Sequence, residues 1–79
     1  MSAHSTRREQ ASIASLLALA QLAKDAHEQV AATMDRLAER GGPEAGRRRA
    51  LAERSRHFAE LETQHISHWA ARRAAQPRG

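Results

Sequence analysis

The chain has 79 residues, no cysteine and a formal net charge of +4, which allows one small domain and excludes disulfides and thiolate metal sites. Large apolar side chains are few, and a chain of this size without staples usually completes its core by oligomerising. Eighteen alanines and twelve arginines stand against a single lysine, Lys24; the bias is that of a GC-rich bacterial genome, and the periodic apolar residues with abundant alanine argue for helix over disorder.

Residues 1–6 are expected to be a disordered tail. Met1 to Gln10 carries arginine and glutamate but no apolar core of a secretory signal. Thr6 followed by Glu9 reads as a capping box, so helix 1 is predicted over about 7–40. Apolar residues then recur in two rows with a seven-residue repeat. One row is Ile13, Ala20, His27 and Met34; the other is Leu16, Ala23, Val30 and Leu37. Both hold for four repeats, as in a coiled-coil seam. Gln21, Asp25, Glu28, Asp35 and Glu39 make the solvated face. Between Ile13 and Leu22 the apolar residues wrap round the helix, because Leu17, Leu19 and Leu22 lie off the stripe. Such a helix is covered on more than one side. The densest apolar run, Ile13 to Ala23, is shorter than the roughly 20 residues of a membrane span. A soluble, cytoplasmic chain without membrane contact is therefore expected.

Arg40-Gly41-Gly42-Pro43 is the predicted turn, over 41–43, with Gly41 able to take the left-handed conformation that ends a helix. Pro43 suits the first turn of a following helix. Helix 2 is predicted over about 43–75, with Pro77 as its stop and 76–79 as a disordered tail. Its stripe is Leu51, Phe58, Leu61, His65 and Ile66 or Trp69, with Arg47 and Arg54 at seam positions near the turn. A short loop makes the helices antiparallel neighbours. The expected fold is therefore all-α, a two-helix antiparallel hairpin that dimerises into a four-helix bundle. Ile13, Leu16, Leu17, Leu19, Leu22, Met34, Phe58 and Trp69 are the candidate interface residues. Trp69 reads first as a packing residue beside the small Ala14 and Ser15, and otherwise as an exposed anchor.

Three features carry chemistry. All the basic excess lies beyond residue 40, in Arg47, Arg48, Arg49, Arg54, Arg56, Arg72, Arg73 and Arg78. Guanidinium groups suit phosphate or an acidic partner, but no nucleic-acid-binding signature accompanies them. A solvated surface with local pairs Arg49–Glu53 and Arg56–Glu60 is the plainer reading. His27 and His57 fall level across a hairpin centred near residue 42, and His65 and His68 share a helix face. With Glu62 they are the candidate ligands for zinc, copper or nickel, although partly buried, hydrogen-bonded histidines, or an interface that responds to pH, explain them as well. Glu62-Thr63-Gln64-His65 resembles the Glu-x-x-His half-site of ferritin-like di-iron proteins. That resemblance implies carboxylates on facing helices, and the opposite level, Ala18 to Leu22, has none. The overall plan is similar to the small helical-hairpin substrates of type VII secretion, with Arg40-Gly41-Gly42-Pro43 standing where those have Trp-x-Gly; no family is claimed.

No nucleophile elbow flanks any serine and no phosphate-binding loop is present. The expectation is a non-enzymatic interaction module, an accessory, scaffold or regulatory subunit without a cofactor, whose partner is a second copy or another helical protein. A basic protein associated with nucleic acid through helix 2 and a His/Glu metal-binding bundle are the alternatives.

Overall fold

In the computed structural model, which describes residues 3–75 and side chains from Arg7 onward, α1 spans Ala3–Glu39 and α2 spans Ala45–Ala75. Helices of 37 and 31 residues are about 55 and 46 Å long at 1.5 Å per residue. They fit in a body 61 Å long and 14 by 12 Å across, so α2 folds back along α1. The described residues contain no strand.

α1 begins four residues before the expected start, so Thr6 and Glu9 do not mark its first turn. Once a helix exists, each further residue adds one hydrogen bond at little cost, and nothing from Ala3 to Gln10 breaks it. Residues 1, 2 and 76–79, where the tails were expected to continue, lie outside the described residues. At the other end Arg40 N–H donates to the Leu37 carbonyl at 3.2 Å and Gly41 N–H to that of Ala38 at 3.0 Å. Gly41 and Gly42 are both left-handed, with φ of 75° and 87°, a region that residues with a Cβ avoid. Pro43 and Glu44 stay in the turn, so α2 starts two residues later than expected. Its first helical bond runs from Arg48 N–H to the Glu44 carbonyl at 3.0 Å.

The seam between the helices is made of alanine. Ala20, Ala31 and Ala38 of α1 and Ala45, Ala52 and Ala59 of α2 are buried, and Ile13 is the one large side chain among them. The alanines of α2 recur every seven residues, which sets the face that α2 turns to α1. The seam therefore differs from the one read in the sequence. On α1 the row Ile13, Ala20, His27 and Met34 does face α2, but its companion is Leu17, Lys24, Ala31 and Ala38. The row Leu16, Ala23, Val30 and Leu37 sits beside the seam, with Leu16 and Val30 exposed. On α2 the alanine row alternates with Arg48, Ser55, Glu62 and Trp69, all half-buried. Leu51 and Phe58, expected in the stripe, are exposed, and Arg47 and Arg54 lie outside the seam. Interaxial distance depends on the side chains at the contact; alanine facing alanine lets the helices close tightly, and larger residues are displaced to the sides.

Candidate interaction face

Pairing two helices leaves two flanks, and the contacts fix which residues share each one. The Arg56 guanidinium meets the Asp35 carboxylate at 2.7 Å across the helices. The row of Gln21, Glu28 and Asp35 therefore shares a flank with the row of Arg49, Arg56 and Thr63. Asp25 and Glu39, Glu53 and Glu60 lie just outside these rows. The long side chains of this flank are polar, with Ala14, Ala18, Ala32 and Ala70 between them: Gln21 donates to Asp25 at 2.9 Å, and Lys24 reaches Glu28 at 4.0 Å from the seam.

The opposite flank holds the rows Leu16–Ala23–Val30–Leu37 and Leu51–Phe58–His65–Arg72. Outside them lie Ser12, Leu19, Ala26 and Thr33 on α1, and Arg47, Arg54, Leu61 and His68 on α2. Among the described residues six large apolar side chains are exposed, and five of them, Leu16, Leu19, Val30, Leu51 and Phe58, are on this flank. The sixth, Leu22, is on the adjoining strip of α1; it is 67% exposed and Leu19 is 63% exposed. An open hollow runs between Leu16, Leu19, Ala20 and Ala23 of α1 and Glu62, His65 and Trp69 of α2. It continues at the open end past Ile13, Leu16 and Trp69 and past the polar Arg8, Glu9, Ser12 and Arg72. Exposed apolar side chains thus recur along this flank, with the small Ala23 and Ala26 between them.

The expected interface residues fall in different places. Leu16, Leu19, Leu22 and Phe58 are exposed on or beside the apolar flank. Ile13 is buried, and Leu17, Met34 and Trp69 are half-buried in the hairpin's own seam. Val30 and Leu51 belong to the flank and were not singled out. The seven-residue spacing of Ala45, Ala52 and Ala59 was the sequence feature that could have found them, because it turns Leu51 and Phe58 out of the seam.

The arginines do not gather on one surface. Arg48 turns into the seam, with Nη1 3.4 Å from the Leu37 carbonyl. Arg47 lies on the apolar flank with Arg54, and Arg49 lies on the polar flank with Arg56. Arg56 pairs with Asp35 of α1, and the pair expected with Glu60 is not made. Arg72 places its guanidinium carbon 5.5 Å from the Trp69 ring centre, close enough for a cation–π contact. Arg73 is exposed. A phosphate backbone is read by cations on one face, and these residues are spread around the helix.

The histidines are also divided. His27 stacks on Phe58 with centroids 5.3 Å apart and planes at 27°. His57, one residue earlier, is exposed and flanks the same ring at 6.3 Å. Phe58 thus takes the level where His57 was expected to meet His27. Further along, His65 Nδ1 lies 3.6 Å from a Glu62 carboxylate oxygen, and His68 meets the edge of Trp69 at 5.0 Å. Among the described residues no three His, Asp or Glu side chains are grouped to hold a metal ion. The α1 residues around Glu62 and His65 are Leu16, Leu19, Ala20 and Ala23, without a carboxylate.

Fold and site together define a class: an all-helical two-helix hairpin with one polar and one apolar flank. No family model, curated protein or solved structure matches the chain. Among the described residues no helix is long and apolar enough to cross a membrane.

Proposed function

We propose that this chain is a non-enzymatic protein–protein interaction module, an accessory, scaffold or regulatory subunit that completes a four-helix bundle by covering its apolar flank with a second copy. The observation that carries the reading is the direction of the α1 stripe. One row of its heptad, Ile13 to Met34, is turned to α2, and the other, Leu16 to Leu37, is turned to the open flank. A helix that touches one neighbour needs one seam. A helix in a four-helix bundle touches two neighbours, and its stripe points between them.

The test is sedimentation of the untagged chain at micromolar concentration. A folded dimer is expected. A helical, cooperatively melting monomer overturns the proposal.

A further inference from the structure

We infer that the far half of α2 is a hinged arm: the helix bends between Ala59 and Thr63, its last turns swing away from α1 and return, and Glu62 is the side chain that drives the two apart. The inference concerns the single hairpin and does not depend on what covers its apolar flank.

The seam divides near the level where His27 meets Phe58. On the turn side three contacts tie the helices together: Arg48 to the Leu37 carbonyl, Arg56 to Asp35, and His27 stacked on Phe58. On the far side the described residues show no such tie. Glu62 faces His65, Thr63 donates to the Ala59 carbonyl, and His68 and Arg72 both meet Trp69, so each of these contacts stays within α2. The open hollows between the helices lie on this side too, one against Glu62 and one past Arg8, Glu9, Ser12 and Arg72. Burial changes at the same point. Ala45, Ala52 and Ala59 are the buried residues of α2. The next members of their row are Ile66, half-buried, and Arg73, exposed.

Two opposing effects set the balance between a closed and an open arm. Ile13 is buried, Ile66 and Trp69 are half-buried, and covering apolar surface favours closure. Glu62 opposes it. Its side chain is 22% exposed and lies against Leu16, Leu19, Ala20 and Ala23 of α1, whose side chains donate no hydrogen bond. His65 Nδ1 stands 3.6 Å from its carboxylate, beyond the length of a good hydrogen bond. Taking a carboxylate from water without such partners is costly, and swinging the arm outward returns it to water. Thr63 supplies the bend. Its hydroxyl donates to the Ala59 carbonyl four residues back at 3.1 Å, an arrangement that competes with the helix's own bonding and bends helices.

The test reads distances within one chain between paired spin labels, with the labelled chain diluted in excess unlabelled protein. The chain has no cysteine of its own. Ala11→Cys with Ala74→Cys spans the arm; Ala32→Cys with Glu53→Cys spans the same two rows three repeats nearer the turn, and all four positions are exposed. A bend of about 20° carries residue 74, about 22 Å beyond Ala59, about 8 Å from α1. The near-turn pair is expected to give one narrow distance, and the far pair to show a second population about 8 Å longer. Glu62→Leu should collapse the far pair to its shorter distance, with the nearly isosteric Glu62→Gln between, and circular dichroism checks that each variant is helical. Equal widths in the two pairs, narrow or broad, overturn the hinge. A far pair that stays broad in both Glu62 variants is end fraying, which does not respond to Glu62, and overturns the inference as well.

Discussion

The two flanks of this hairpin are built from the same two helices and the same repeat, yet they solve different problems. The polar flank closes on itself. Arg56 crosses to Asp35 and Gln21 holds Asp25, pairs made within the chain. The apolar flank is left open, with Leu16, Leu19, Val30, Leu51 and Phe58 exposed beside a seam of alanines. The difference shows that burial within the hairpin is decided by side-chain size at the contact. Alanine rows bring the helices close, and the leucines that a hydrophobic ranking would bury first are turned outward. One flank carries the ion pair between the helices; the other leaves its large apolar side chains exposed.

The most damaging way to break this comparison is to charge the open flank. Leu19→Glu is expected to weaken self-association by at least about 100-fold, because each interface then buries two unpaired carboxylates at more than about 1.4 kcal/mol each. Gln21→Glu, two residues away on the polar flank, leaves association unchanged within error. Sedimentation of the two variants side by side checks the pair, with helicity by circular dichroism retained in both; equal effects would erase the distinction between flanks. Next in size is the seam itself. Ala52 has no exposed surface, and Ala52→Leu forces extra carbons between helices in contact, costing about 1–3 kcal/mol. Urea unfolding should show the loss, whereas Ala50→Leu on the exposed side of α2 should not.

Much of this was legible in the sequence, and the misreadings share one cause. The seven-residue repeat marked both helices and Gly41-Gly42-Pro43 marked the turn, because period and backbone chemistry are local properties. The rotation of each helix about its own axis is not local. Placing Leu51 and Phe58 in the seam follows from ranking residues by hydrophobicity; seeing them outside requires comparing how closely two helices can approach on each choice of face. The same blindness split the arginines. Arg47, Arg48 and Arg49 are adjacent in the chain but about 100° apart around the helix, so only the rotation tells that Arg48 enters the seam. His57 missed His27 for a smaller reason, since one residue of offset in the level of the turn brings Phe58 there instead.

The turn offers a cleaner and smaller perturbation. A Cβ on Gly42 would meet nothing within 4 Å, yet its φ is 87°. Gly42→Ala therefore isolates backbone strain from sterics, with an expected loss of about 1–2 kcal/mol. The loss should appear equally in hairpin stability and in dimer stability measured by denaturant, because it touches neither flank. A variant that weakened association more than folding would mean that the turn takes part in the interface.

The smallest effect belongs to the polar flank. The Arg56–Asp35 pair is short, but its side chains are 49% and 44% exposed, so solvent and salt screen most of its attraction. A double-mutant cycle with Arg56→Ala and Asp35→Ala should give a coupling under about 1 kcal/mol, falling further as salt is raised. The value matters less than its location. If the pair stabilises only the hairpin, each single variant lowers the unfolding midpoint slightly and leaves the sedimentation of the dimer untouched. If either variant dissociates the dimer, the polar flank is part of the assembly, and the division of labour between the two sides does not hold.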